Sequence, residues 1–127
     1  MAEVIARGRV VTPSGVVEGE LLAADGCIVE VRPVVAEAEL ADLPDQWVCP
    51  GFIDLQINGS DGIDVSATPG RAAELARLLP AEGVTAFCPT VITGPAHVRL
   101  GALHPTAAPL VAEPGAAIPL GWHLEGP

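Results

Sequence analysis

Lysine is missing altogether: the six basic residues of this 127-residue chain are all arginine, set against sixteen acidic ones for a formal net charge of -10. A nucleic-acid backbone requires the opposite sign, which argues against such a partner. An anionic membrane surface repels the chain for the same reason. Long apolar runs are missing too: no stretch reaches the ~18 consecutive apolar residues of a membrane span. The opening Met1-Ala2-Glu3-Val4 lacks the basic-then-apolar order of a secretory signal. Cysteine is scarce. Cys27, Cys49 and Cys88 are odd in number and widely spaced, without the paired spacing of a metal site. They read as small half-buried residues in a reducing compartment, which places the chain in the cytoplasm. Net charge does not exclude a phosphorylated small molecule, because a few well-placed donors outweigh it.

Half of the residues are apolar, enough to expect a folded domain rather than disorder. Val4 to Val11, Val16 to Ala23 and Cys27 to Val31 are β-branched runs divided by Pro13-Ser14-Gly15 and Asp25-Gly26. Those dipeptides suit tight turns, so residues 1–46 read as a small meander of antiparallel strands followed by a polar linker over 33–46. From residue 47 the pattern changes. Trp47 to Asn58 reads as a strand. Thr68 to Leu79 has helical spacing, with Ala72, Leu75, Ala76 and Leu79 on one face. Thr68 is its expected N-cap, Pro69 its first residue and Gly83 its terminator; Pro80 should kink or end it. Val84 to Thr93 is a second strand, a helix confined by prolines to about His97–Leu103 follows, and Ile118 to Glu125 is a third strand. The expected class is α/β: a small β-domain, then strand–helix–strand–helix–strand, the opening of a parallel array. A closed (β/α)₈ barrel takes eight strands and typically ~250 residues. Three strands fit either a small open domain or a TIM-type barrel cut short, and the chemistry favours the truncated barrel.

Two strand ends carry that chemistry. Between Phe52 and Asn58 the side chains alternate, Ile53, Leu55 and Ile57 against Asp54, Gln56 and Asn58. Polar groups in a row must be satisfied or cost a few kcal/mol each. The mouth of a barrel at the carboxyl ends of its strands satisfies them; a solvated face of an exposed strand does as well. In Trp122-His123-Leu124-Glu125-Gly126-Pro127, His123 and Glu125 share a face two residues apart. That spacing is able to bind one metal but equally suits a structural pair. Thr90 and Thr93 read as hydroxyls capping a loop.

Pro50-Gly51-Phe52-Ile53-Asp54 with Asn58-Gly59, Gly83-Val84-Thr85 to Pro89-Thr90, and His123-Leu124-Glu125-Gly126-Pro127 together resemble the N-acetylglucosamine-6-phosphate deacetylases of the amidohydrolase superfamily. The resemblance spans residues 47–127 and implies the start of an amidohydrolase barrel. Residues 1–46 fit the family's small β-domain, a partial sandwich, more loosely. Many amidohydrolases carry His-x-His on the first barrel strand, where this chain has Gln56 and Asn58. Carboxamides are poorer ligands for zinc-like ions than imidazole, so the resemblance implies a branch using one divalent metal ion, zinc or similar. By motif position Glu125 matches the family's glutamate metal ligand. His123 matches a histidine with a structural or supporting role, and Gln56 and Asn58 would line the pocket. The two remaining histidine ligands and the general acid/base aspartate lie downstream in the family, so no catalytic residue is expected here and the 127-residue chain alone should be inactive.

The activity so implied is hydrolysis of the acetamide of N-acetylglucosamine 6-phosphate to glucosamine 6-phosphate and acetate, by a homodimer when full length. Two rivals remain. One is another metal-dependent amidohydrolase, a deaminase or cyclic amidase, against which Gln56-x-Asn58 and residues 123–127 weigh. The other is a non-enzymatic small α/β module or remnant, which leaves the polar face unexplained.

Overall fold

A computed structural model describes residues 1–102 and 110–126. The chain divides into two compact units, Met1–Pro50 and Gly51–Pro127.

In the first unit, β1 (Glu3–Thr12), β2 (Gly15–Ala24) and β3 (Cys27–Pro33) form the expected antiparallel meander. Asp25 and Gly26 both take positive φ, 52° and 76°, the backbone of a tight hairpin turn whose twist matches its strands. The segment read as a plain linker holds a one-turn helix, α1 (Glu37–Ala41). The strand expected to run unbroken from Trp47 to Asn58 is in fact two. Its first piece, β4 (Trp47–Val48), pairs in parallel with β1, giving the order β3-β2-β1-β4. Trp47 lies under the Arg9 guanidinium, 4.9 Å from ring centroid, and Arg9 also pairs with Asp45. These contacts tie β4 to β1, and Pro50-Gly51 interrupts the run. Cys27 and Cys49 are exposed, not half-buried as expected; Cys88 alone is intermediate.

The second unit begins with β5 (Phe52–Ile57). A tight hairpin follows, β6 (Gly59–Ser60) with β7 (Ile63–Asp64), which the sequence reading did not separate from the strand. Gly59 has φ 155°, and a Cβ there would sit 1.7 Å from the Ile63 carbonyl oxygen, so the hairpin closes only around glycine. The expected helix is composite: a 3₁₀ turn at Pro69–Arg71, then α2 (Ala72–Leu78), then a 3₁₀ turn at Leu79–Glu82. Thr68 makes no side-chain cap; its hydroxyl donates instead to the Asp64 carbonyl at 2.7 Å. Pro80 ends the α-helix as expected by forcing the tighter turn, and Gly83, at φ 80°, terminates it.

Next come β8 (Val84–Val91), α3 (Ala96–Ala102), β9 (Ile118–Pro119) and β10 (His123–Leu124). The expected third strand is thus two short pieces with residues 120–122 between them. Leu103, Pro105, Pro109 and Pro127, which entered the expectations for this region, lie outside the described residues. Strands β5, β9 and β10 all run parallel to β8, in the order β10-β8-β5 with β9 also on β8. The chain is therefore α/β with a parallel sheet in its second unit. The expected apolar stripe holds: Ala72, Leu75, Ala76 and Leu79 are at most 3% exposed. Leu75, Ala76 and Leu79 pack with Phe87, Ile57, Ile63, Val65 and Ala117 in one core. Packing a helix stripe on an adjacent parallel strand is what sets the direction and height of the strand ends.

Candidate active site at the carboxyl ends of the parallel strands

The register of β5 on β8 is interrupted. Asp54 lies opposite Phe87 and Ile57 opposite Pro89, so three steps along β5 meet two along β8. This is a β-bulge, and its local cause is visible: the Asp54 carboxylate accepts the backbone N–H of Gln56 at 2.9 Å, a short-range bond that competes with the ladder. The strict alternation read from the sequence is therefore wrong. Ile57 is buried, whereas Ile53 and Leu55 are each 61% exposed, and Gln56 and Asn58 are exposed as well. The polar residues do not form a buried row in this chain.

Gln56 lies within the bulge, one residue before the end of β5, and Asn58 just past that end, where the Asn58 carbonyl accepts the Val65 N–H at 3.1 Å. His123 opens β10 opposite Thr90, half-buried beside that fully buried threonine. Glu125 is the first residue past β10 and is exposed. Since β5 and β10 flank β8 and both run parallel to it, the ends bearing Gln56, Asn58 and Glu125 point the same way on either side of β8.

The carboxyl end of β8 is fastened on both sides. Towards β5, where strand pairing has ended, Ser66 stands in for the missing partner. Its hydroxyl donates to the Thr90 carbonyl at 3.0 Å and accepts the Ile92 N–H at 3.1 Å. Ser66 is itself fixed by Asp64, whose carboxylate accepts the N–H groups of Ser66 and Ala67 at 2.9 and 3.1 Å. Towards β10, the Glu125 N–H donates to the Val91 carbonyl at 3.1 Å, and the Thr93 hydroxyl donates to the Glu125 carbonyl at 2.7 Å. Thr93 holds the strand end as a capping hydroxyl, whereas Thr90, expected to do the same, is fully buried in β8 with its hydroxyl donating to the Cys88 carbonyl of its own strand at 3.4 Å; Asp64 and Ser66 were missed. Asp-x-Ser after a glycine turn is a legible signal for such a side-chain-to-backbone turn.

A cavity of about 250 Å³ opens at this end of β8, with Asp64, Ser66, Val91 and Thr93 in its wall. None of Gln56, Asn58, His123 or Glu125 lines it. Among the described residues no three His, Cys, Asp or Glu side chains come close enough together to hold a metal ion, and the Glu125 carboxylate joins none of the salt bridges.

Comparison with known proteins gives this arrangement its context. A search against protein-family models returns no match. Over 113 residues, 86% of this chain, the sequence is 38% identical to N-acetylglucosamine-6-phosphate deacetylase of Rattus norvegicus, covering 27% of that protein. The chain is similar to these deacetylases across most of its length. It is also 32% identical over 130 residues, its whole length, to N-acetylgalactosamine-6-phosphate deacetylase of Escherichia coli O157:H7, of which it covers 34%. In structure it matches the crystal structure of N-acetylglucosamine-6-phosphate deacetylase from Thermotoga maritima with a TM-score of 0.76 and 26% identity, over 98% of this chain and 32% of that one. The chain thus spans about a third or less of the length of these relatives. No described helix is long and apolar enough to cross a membrane.

Proposed function

We propose that this chain supplies one wall of the active site of a metal-dependent deacetylase that hydrolyses the acetamide of N-acetylglucosamine 6-phosphate to glucosamine 6-phosphate and acetate. The observation that carries this reading is the position of Glu125 at the carboxyl end of a parallel strand, across β8 from Gln56 and Asn58, in a chain similar to deacetylases over most of its length. Barrel enzymes hold their chemistry at that face, and we read β5, β8 and β10 as the first three strands of such a (β/α)₈ barrel.

Glu125 suits the role of a metal ligand. Its carboxylate is exposed, free of ion pairs among the described residues, and carried on a backbone bonded through both its N–H and its carbonyl. Glu125 would hold one divalent ion, zinc or similar, together with ligands from outside this chain. Such an ion supplies Lewis acidity, polarising an amide carbonyl and acidifying water. Gln56 and Asn58 offer neutral carboxamides, fit to orient substrate or water by hydrogen bonds and poor at binding the ion. His123, half-buried against Thr90, would support the strand rather than bind metal. General acid/base catalysis would come from a residue outside the 127 described by this sequence. A cytoplasmic, homodimeric enzyme completes the proposal.

The test is a chimera in which residues 1–127 replace the matching third of the Thermotoga maritima deacetylase. Deacetylation of N-acetylglucosamine 6-phosphate by the chimera, lost in Glu125→Gln together with the bound metal, is the expected result. Turnover and metal content unchanged by Glu125→Gln would contradict it.

A further inference from the structure

We propose that Thr93 is a positioning residue for Glu125, setting the direction in which its side chain leaves the backbone by holding its peptide in place. The inference rests on the reading of Glu125 as a metal ligand and adds a residue that this reading does not need.

The paired residues of β8 and β10 are Thr90 with His123 and Val91 with Leu124. A regular parallel ladder would continue by giving Glu125 one acceptor and one donor from β8. The acceptor is there: the Val91 carbonyl takes the Glu125 N–H at 3.1 Å. The donor is not a backbone group. Continued in this register, the ladder would draw that donor from the Thr93 N–H, but β8 stops at Val91 and the chain turns away through Gly94-Pro95. The Thr93 hydroxyl takes that place and donates to the Glu125 carbonyl at 2.7 Å.

Glu125 is thus bonded through the peptides on both sides of its Cα, which limits rotation about φ and ψ and so fixes the Cα–Cβ direction. Without the hydroxyl, the Glu125 carbonyl loses this bond, and the residue that follows is glycine, a type that adds little restraint of its own. The opposite flank of β8 is held independently by Ser66, so loss of the Thr93 bond frees Glu125 without loosening the strand end as a whole.

The experiment compares Thr93→Val, which keeps the shape and removes the hydroxyl, with Thr93→Ser, which keeps the hydroxyl, in the chimera described above. Zinc affinity is read by competition with a chromogenic chelator. Thr93→Val is expected to weaken zinc binding about 10- to 100-fold, the usual effect of removing a group that orients a ligand, and Thr93→Ser to restore it to within about threefold. Zinc bound equally by Thr93→Val and the unsubstituted chimera would overturn the inference. So would equal weakening in both variants, which would assign the effect to packing.

Glu125→Gln separates the two readings. If it leaves zinc binding intact, the ligand assignment itself fails; if it abolishes binding while Thr93→Val does not, only the role of Thr93 fails. Hydrogen exchange at the Glu125 amide of the metal-free chimera reads the same clamp without metal. Thr93→Val should speed exchange about five- to tenfold, the equivalent of one hydrogen bond, and Thr93→Ser should not. Equal rates in all three proteins would again overturn the inference.

Discussion

At the scale of single residues, the end of β8 is built from side chains that replace backbone partners. Ser66 serves the Thr90 carbonyl and the Ile92 N–H, and Asp64 holds Ser66. Ser66→Ala would leave the part-buried Thr90 carbonyl and the exposed Ile92 N–H without that partner, so the chimera carrying it is expected to lose about 1 kcal/mol of stability. Denaturant unfolding reads this; an unchanged midpoint would mean that water takes over both bonds. Much of this was legible in part. His123-Leu124-Glu125-Gly126-Pro127 marks a strand end by its own glycine and proline, and Thr93 reads as a capping hydroxyl from its place after a β-branched run. Which carbonyl it caps was not legible, because the partner lies thirty-two residues away and only the parallel register brings the two together. The Asp54 bulge escaped for a related reason: period-2 alternation assumes an unbroken ladder, and one local carboxylate–amide bond breaks it.

At the scale of elements, α2 was the most legible, since Ala72, Leu75, Ala76 and Leu79 repeat at helical spacing and all are buried. Its caps were less so: Thr68 turns its hydroxyl back to Asp64, and both ends tighten to 3₁₀ turns around Pro69 and Pro80. Phe87, fully buried at the centre of this core, should cost about 3–5 kcal/mol on Phe87→Ala, read by the shift in denaturant midpoint of the chimera. Gly59→Ala should prevent the β6–β7 hairpin from closing, because the added Cβ meets the Ile63 carbonyl; a thermal midpoint equal to that of the unsubstituted protein would contradict this. The first turn of α2 also carries a pH dependence. The hydrogen-bonded Arg71 guanidinium holds the Glu74 carboxyl below its ordinary value. A depressed carboxylate contributes stability above its unfolded pKa and loses it as pH falls through the folded value. Glu74→Gln should therefore slightly flatten the acid side of the stability profile, the effect being small because the pair is exposed and screened by solvent. Thermal melts across the acid range check the sign.

At the scale of the whole molecule, the parallel sheet has more apolar surface than its own elements cover. Phe52, Ile53 and Leu55 on β5 are 61–63% exposed, and Leu124 on β10 is 52% exposed. Among the described residues both β5 and β10 are edge strands, and apolar edges pair with whatever strand they meet. The isolated 127-residue chain is therefore expected to self-associate, seen as a concentration-dependent rise in light scattering, and to show no deacetylation of N-acetylglucosamine 6-phosphate with added zinc. A stable, scattering-free monomer with robust turnover would show that the chain needs no further strands. That the sheet is parallel was legible from the strand–helix–strand order. That Trp47–Val48 belongs with β1 was not, because the contacts deciding it, Arg9 over the indole and the short ladder, join residues almost forty positions apart.

Anomalous diffraction at the zinc edge, from crystals of the chimera soaked with the metal, bears most directly on the assignment of Glu125. One peak within about 2.0–2.2 Å of a Glu125 carboxylate oxygen, the ordinary zinc–oxygen distance, and clear of Gln56 and Asn58 is the expected outcome. A peak elsewhere, with the Glu125 carboxylate turned away from it, would contradict the assignment and the hydrolase reading with it.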